Sequence, residues 1–332
     1  MRIPSPAVLP SFLVPLLSLA LGVLGAAPPA SAVVLSFGDL VVVDGCGGAA
    51  AARVLRIDPN SGAQEIVSEA GLLSQPVGVA LDAAGQILVS DSDSGTGGAV
   101  LRIDPATGAQ TQLSTGFTAL WDLDLEESGS MLVTDLGSSS VIDTVFRIGA
   151  AGGTPTVVSA GGGFDFLQSI AIGPGPAVYV SDAGFGGRIL SVDPTSGAQG
   201  LVSAGFGLPT GIDVEPSGQI IVADATAAQV IRVNPGTGAA SSVSAGGELV
   251  FPFDVTAAPS GTLFVADWGD LQEAAAVVRV DPTSGAQTVV ASAGFLDQPC
   301  GVTTVPEPGG PLTAAAAGMA LAVLAARRRR SG

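Results

Sequence analysis

Histidine and lysine are both missing from the 332-residue chain, whose 12 basic residues are all Arg. Without imidazole there is no base for a Ser-His-Asp or Cys-His site and no ring nitrogen for a metal. Only 12% of residues are charged, and 29 carboxylates outnumber the arginines to give a formal charge of −17. Such a chain repels phosphate backbones, which excludes a nucleic-acid partner. Asn occurs only at Asn60 and Asn234, Cys only at Cys46 and Cys300, and aromatics make up 5%. What is abundant is apolar or turn-forming: 47% hydrophobic residues, 47 Gly and 23 Pro. That composition supports a large core built from short elements, and it rules out a coiled coil or a disordered tail.

The two ends read as addresses. Residues 1–32 carry Arg2, an apolar stretch interrupted by Pro10 and Pro15, and the small-residue close Ala30-Ser31-Ala32. This is the order of a secretory signal peptide, and the prolines leave no run near the roughly 20 residues that a membrane span needs. Residues 306–332 begin with Pro306-Glu307-Pro308, continue through apolar Leu312–Ala326 and stop at Arg327, Arg328, Arg329 and Arg330. A short apolar helix ended by cations leaves the arginines in the cytoplasm and the preceding domain outside. Box, helix and Arg cluster in this order resemble the PEP-CTERM sorting signal of Gram-negative bacteria. The resemblance implies processing by an exosortase, a transient inner-membrane stage through the C-terminal transmembrane helix, and delivery to the cell surface or the extracellular matrix. Without the two terminal segments the charge is −21, still further from a nucleic-acid binder.

Between the addresses, residues 33–305 hold one pattern six times. An apolar run ending in Asp recurs at Asp44, Asp91, Asp135, Asp182, Asp224 and Asp267, at intervals of 47, 44, 47, 42 and 43 residues. A period in the mid-forties with several short strands per unit predicts the blades of a β-propeller. In the second unit the expected strands are 77–81, 86–90, 100–104 and 110–114, the first three rich in Val, Ile and Leu. The third and fourth strands are joined by Asp-Pro-x-Ser/Thr-Gly at Asp58, Asp104, Asp193 and Asp281, with Asn234 as a variant. Pro presets the turn, Asp accepts an N–H, and Gly takes the left-handed position. The third unit replaces this motif by Gly149–Thr154, so a looser outer hairpin is expected there. The wording of the repeats, as in Pro209-Thr-Gly-Ile-Asp-Val, Gly218-Gln-Ile-Ile-Val-Ala-Asp224 and Val230-Ile-Arg-Val, resembles the NHL and SMP-30-like six-bladed propellers. That likeness implies an all-β propeller of four-stranded blades, and leaves activity to be argued from a site.

The first unit begins at its second strand, while the last segment, 301–305, has the pattern of an innermost strand. The C-terminal strand is therefore expected to complete the first blade, removing two open edges. Antiparallel pairing there puts the loops of Cys46 and Cys300 on one face, and in an exported chain a disulfide between them is expected.

The six strand-end aspartates should surround the mouth of the ring. An Asp present in every blade is expected to accept backbone N–H bonds from its own turn rather than hold a ligand. Four irregular inner-strand carboxylates, Asp122, Asp124, Asp213 and Asp254, are the better metal candidates, with Ca²⁺ as the hard cation that takes oxygen ligands. The Asp91–Gly98 loop starts like an EF-hand, but Arg102 stands where the closing Glu should be. A glycosidase-type carboxylate pair is formally available, for example Glu126 with Glu215, but nothing in the spacing singles it out, and Trp121 and Trp268 are expected to pack in the core or between blades rather than to form a stacking platform for a sugar. The recurring Arg56, Arg102, Arg147, Arg232 and Arg279 are expected to pair with neighbouring carboxylates. Lactonases of the SMP-30/gluconolactonase type hold their metal partly through buried Asn, whereas both Asn residues here fall in outer turns. The expectation is therefore an exported, non-catalytic binding or scaffold propeller with no catalytic residue. Its partners are the exosortase and an exopolysaccharide or surface protein. A divalent-metal hydrolase and a purely structural matrix component are the alternatives.

Overall fold

The computed structural model describes residues 33–48, 51–93, 97–138, 141–184, 186–270 and 274–307. The expected signal peptide, Pro308 and Arg327–Arg330 lie outside the described residues. Within them the β-branched runs form six antiparallel four-stranded sheets. Blade 1 joins β1 (Leu40–Asp44), β2 (Arg53–Ile57) and β3 (Gln64–Glu69) to the last strand, and blade 2 holds β4 (Pro76–Leu81), β5 (Ile87–Asp91), β6 (Gly98–Ile103) and β7 (Gln110–Phe117). Blade 3 holds β8 (Leu120–Leu125), β9 (Met131–Asp135), β10 (Thr144–Ile148) and β11 (Thr156–Ala160). Blade 4 holds β12 (Leu167–Ile172), β13 (Val178–Asp182), β14 (Arg188–Val192) and β15 (Gln199–Ala204). Blade 5 holds β16 (Pro209–Val214), β17 (Ile220–Asp224), β18 (Gln229–Val233) and β19 (Ala240–Ala245). Blade 6 holds β20 (Pro252–Ala257), β21 (Leu263–Asp267), β22 (Ala276–Val280) and β23 (Gln287–Ser292), and β24 (Pro299–Thr304) then pairs with β1.

Burial follows strand position. The second strands β1, β5, β9, β17 and β21 are buried at every residue, because each is covered by neighbouring blades on both faces. Such strands read as continuous apolar runs, and each fully buried Val, Leu or Ile contributes about 1.5–3 kcal/mol. The outermost strands are exposed over most of their length, as in β11 and β19.

Closure of the ring is direct. β24 runs antiparallel to β1 with Val42 opposite Val302 and Val43 opposite Gly301. One step beyond, Cys46 and Cys300 form a disulfide with a Cα–Cα distance of 6.2 Å. This upper face carries the ends of the second strands. The lower face carries the hairpin turns and both ends of the folded chain: Gly38 N–H donates to Val305 O at 3.0 Å, and Val305 N–H to Asp39 O at 2.8 Å. Among the described residues no helix is long and apolar enough to cross a membrane.

A belt of hydrogen bonds ties the blades together at the rim. Ser68, Ser114, Ser159, Ser203 and Ser244 each donate to a glycine carbonyl in the next blade's outer turn, at 2.7–2.8 Å. The turn glycine is required twice over. Gly108 has φ +67°, and a Cβ there would sit 2.6 Å from the Val67 carbonyl of the preceding blade. Blade 3 lacks the Asp-Pro turn, yet its Gly153 carbonyl still accepts the Ser114 hydroxyl, so the belt continues through the irregular hairpin.

Candidate functional site

The strand-end aspartates hold backbone. Asp91 accepts N–H bonds from Ser74 and Gln75, Asp135 from Thr118 and Ala119, Asp224 from Gly207 and Leu208, and Asp267 from Val250 and Phe251. The donors lie 16 and 17 residues upstream, in the segment leading into the inner strand of the same blade, rather than only in the aspartate's own turn. A bond from the residue two positions on, as from Gly269 to Asp267 at 2.7 Å, adds the locally expected contact. One aspartate per blade thus ties the top of the second strand to the entry of the first. Burial pushes Asp44, Asp91, Asp135 and Asp267 above the ordinary carboxylate range, while these N–H bonds pull the other way. Asp44 differs in keeping Oδ2 buried without a hydrogen-bond partner, where the equivalent Asp182 pairs with Arg188 at 2.9 Å.

The four inner-strand carboxylates gather around the ring axis at two levels. Asp122 and Asp254 are the third residues of β8 and β20, while Asp124 and Asp213 are the fifth residues of β8 and β16. Two strand residues separate the levels by about 7 Å. Every one of them reaches the inner strand of the next blade. Asp122 Oδ2 accepts the Ser169 hydroxyl and the Ile170 N–H, and Asp124 Oδ2 accepts the Ile172 N–H at 2.7 Å. Asp213 Oδ2 accepts the Ala257 N–H at 2.8 Å and the Thr256 hydroxyl at 3.1 Å, and Asp254 Oδ2 accepts the Val302 N–H at 2.8 Å. Asp122, Asp124 and Asp213 also turn Oδ1 to the N–H of the following residue. Among the described residues, no three of His, Cys, Asp and Glu converge as a metal cage. The donor set explains why: these oxygens face N–H groups, and a cation would have to displace them.

Neighbouring inner strands have unpaired donors on their open edge, and a carboxylate from the preceding blade satisfies them. Ser90, Thr134 and Ser181 serve the acceptors instead, each hydroxyl accepting an N–H of its own inner strand and donating to a carbonyl of the next, at Trp121, Gln168 and Thr210. This brace was invisible as such in the sequence. Its signal is Gly78 and Gly211, which stand one blade ahead of Asp122 and Asp254 and leave room for them.

Burial without a nearby cation raises all four axial carboxylates. Asp124 is pushed up to about 7 and Asp213 to about 6, chiefly by desolvation, with mutual charge repulsion adding to it. Asp122 is raised by burial, and Asp254 lies well above the ordinary range through burial and the charge of Asp122. Folded protein therefore keeps protons that the unfolded chain releases above about pH 4, so the linked stability is complete below that pH and is lost as pH rises through about 6 and about 7. The thermal midpoint is expected to fall between about pH 5 and about pH 8, and Asp124→Asn/Asp213→Asn to flatten the slope. Calorimetry across that range checks it; an equal slope in the variant places the linkage elsewhere.

Above the carboxylates the two tryptophans are joined through Phe253. Phe253 stacks on Trp268 at 4.2 Å and 7°, Phe251 stacks on Trp268 at 5.6 Å, and Trp121 lies 6.1 Å from Phe253. Trp121 and Phe253 come from opposite blades, so the cluster bridges the upper end of the axis. Their ring faces are used largely on one another, which favours packing over an open sugar platform. Two donors within this apolar region, Gln168 Nε2 and Trp268 Nε1, are buried without hydrogen-bond partners, and Gln168 is only 2% exposed.

Glu126 and Glu215 do not come together. Glu126 receives two hydrogen bonds from Arg147 in blade 3, and Glu215 two from Arg232 in blade 5. Arg56 pairs with Asp39 and Glu65, and Arg102 with Asp82 at 3.6 Å. In the Asp91–Gly98 loop, Asp91 faces backbone N–H groups, and residues 94–96 lie outside the described ones.

No known protein family matches the chain, and no curated protein matches it. Solved structures do. A chain of a nidogen/laminin complex superposes with a TM-score of 0.67 at 17% identity, over 81% of this chain and 99% of that one. A protein of unknown function from Bacteroides caccae gives 0.62 at 17% identity, over 82% and 100%. A putative TolB from Agrobacterium tumefaciens gives 0.58 at 15% identity, over 82% and 100%. At such identities the likeness concerns the fold: the chain is a six-bladed β-propeller whose first blade is completed by its last strand.

Proposed function

We propose that this protein is an exported, non-catalytic binding scaffold that offers its upper face to a ligand and is attached or processed through its C-terminal segment. The observation that carries this reading is the engagement of the carboxylates. In a chain without His, Asp and Glu would have to supply acid-base or metal chemistry, and the axial and strand-end aspartates are committed to backbone donors of the fold. Topology supports the attachment. Val305 is held on the lower face, so a segment beginning at Pro306-Glu307-Pro308 leaves opposite the disulfide and the aromatic cluster. The unpaired donors of Gln168 and Trp268 are buried, so an oxygen-rich ligand such as an exopolysaccharide would reach them only if the aromatic cluster opened.

The competing reading is a calcium-dependent hydrolase using Asp122, Asp124, Asp213 and Asp254. Elemental analysis of the purified protein and a thermal-shift titration with Ca²⁺ separate the two. The scaffold reading expects no stoichiometric metal and a shift under about 1 °C, since a cation that binds only the folded state raises the midpoint in proportion to occupancy. A shift of several degrees, removed by Asp122→Asn/Asp254→Asn, would replace it with the metal-dependent reading. Export is checked by fractionating cells that carry variants of Glu307 and of the Arg327–Arg330 cluster; cytoplasmic retention of the intact chain would end the surface assignment.

A further inference from the structure

Five blades carry an arginine at one point of the third strand; Arg56 in blade 1 pairs with Asp39 and Glu65, and the other four guanidinium groups reach across to the next blade. Arg102 donates to Ala150 O at 2.9 Å, Arg147 to Pro194 O at 3.0 Å, Arg232 to Pro282 O at 3.3 Å and Arg279 to Pro59 O, each a carbonyl in the next blade's outer turn. The arginine sits in a cross-strand row, which reads Ile221, Arg232, Ser241 in blade 5 and Phe264, Arg279, Thr288 in blade 6. In blade 4 the row reads Tyr179, Ser191, Gly200. Both outer positions of the row are truncated there. Gly173 also follows β12 where Glu126 follows β8 and Glu215 follows β16, so the ion pair of blades 3 and 5 is missing as a unit.

The truncation leaves a cavity of about 350 Å³ lined by Tyr179, Ser191, Asp193, Gln199 and Gly200 among others. We propose that this cavity binds the guanidinium group of another molecule, either a small guanidino compound or an arginine side chain of a partner protein. Blade 6 shows how such a group is held without a carboxylate salt bridge. The Arg279 guanidinium lies over the Phe264 ring at 5.6 Å and donates to the turn carbonyl of Pro59. Tyr179 occupies the position of Phe264, and Pro235 stands in the next turn where Pro59, Pro194 and Pro282 stand. Asp193 adds a carboxylate at the rim of the cavity, ionised because the Ser196 and Thr195 N–H groups hold its charge. A planar cation with several donors fits these acceptors better than an ammonium does. The inference is independent of the scaffold reading, since the cavity lies in blade 4 away from the upper mouth.

Tyr179 is the single tyrosine of the chain, so tyrosine-selective NMR of the whole protein reads this site alone. Titration with ethylguanidinium is expected to move the Tyr179 ring signals along a saturable curve with a dissociation constant in about the millimolar range, and ethylammonium to move them several-fold less at equal concentration. An arginyl peptide that matches ethylguanidinium assigns the site to a partner's side chain, and one that fails assigns it to small guanidino compounds. Ser191→Arg supplies the group in cis and is expected to abolish the response; should that variant misfold, Gly200→Thr narrows the same row. Ring signals that do not saturate, respond equally to ethylammonium, or respond equally in the wild type and the narrowed variants overturn the proposal.

Discussion

Replacing Cys46 and Cys300 together by serine is expected to lower the stability of the exported protein by about 5 kcal/mol at most, and its thermal midpoint by up to about 10 °C. The bridge links residues 254 positions apart. It therefore restrains nearly the whole unfolded domain, and the chain-entropy cost removed from that ensemble grows with the logarithm of loop length. Cys300 is 1% exposed and belongs to the apolar cluster between blades 1 and 2, so serine also buries a hydroxyl there. The effect should be visible without mutation, by comparing denaturant unfolding under oxidising and reducing conditions. Equal midpoints in the two would show that the β1–β24 hydrogen bonds close the ring unaided.

Gly211→Ala is expected to cost about 3 kcal/mol, far more than a small-to-small substitution on an inner strand suggests. A Cβ at this position would lie 2.5 Å from Asp254 Cα and 2.9 Å from the Phe253 carbonyl, both backbone atoms of the adjacent inner strand. Blade 6 would have to move outward, and the Asp254 bond to Val302 across the next junction would be strained with it. Gly218→Ala is the control. Its φ of +81° is unfavourable for Ala, but nothing lies within 4 Å of the added carbon, so only about 1 kcal/mol is expected. Chemical denaturation of the two variants checks the order. A smaller loss for Gly211→Ala than for Gly218→Ala would show that the inner strands are not in rigid contact.

The repeat spacing, the Asp-Pro-x-Ser/Thr-Gly turns and the displaced first and last strands were enough to read six blades, closure by the C-terminal strand and the disulfide, because each rests on local pattern and chain order. The strand-end aspartates were legible as structural groups, although their principal donors lie 16 and 17 residues upstream, across the blade rather than in the adjacent turn. The axial carboxylates were harder. Their irregular occurrence suggests a ligand, and only the juxtaposition of β8 with β12, β16 with β20 and β20 with β24 reveals the N–H groups that they meet. Trp121 and Trp268, far apart in sequence, become one cluster through Phe253, and Glu126 and Glu215 separate into two blades.

By itself the sequence determined what depends on periodicity and on the conformational preference of single residues: strand, turn, blade number and the order of the chain around the ring. It also limited the chemistry, since a chain without imidazole has few groups able to act near neutral pH. Tertiary structure alone decided which polar groups face one another, because hydrogen bonds between blades join residues about thirty positions apart or more. The axial brace is of that kind, since it arises from one blade meeting another, whereas the cavity beside Ser191 is lined within blade 4 and stands out only when that blade is set against the others.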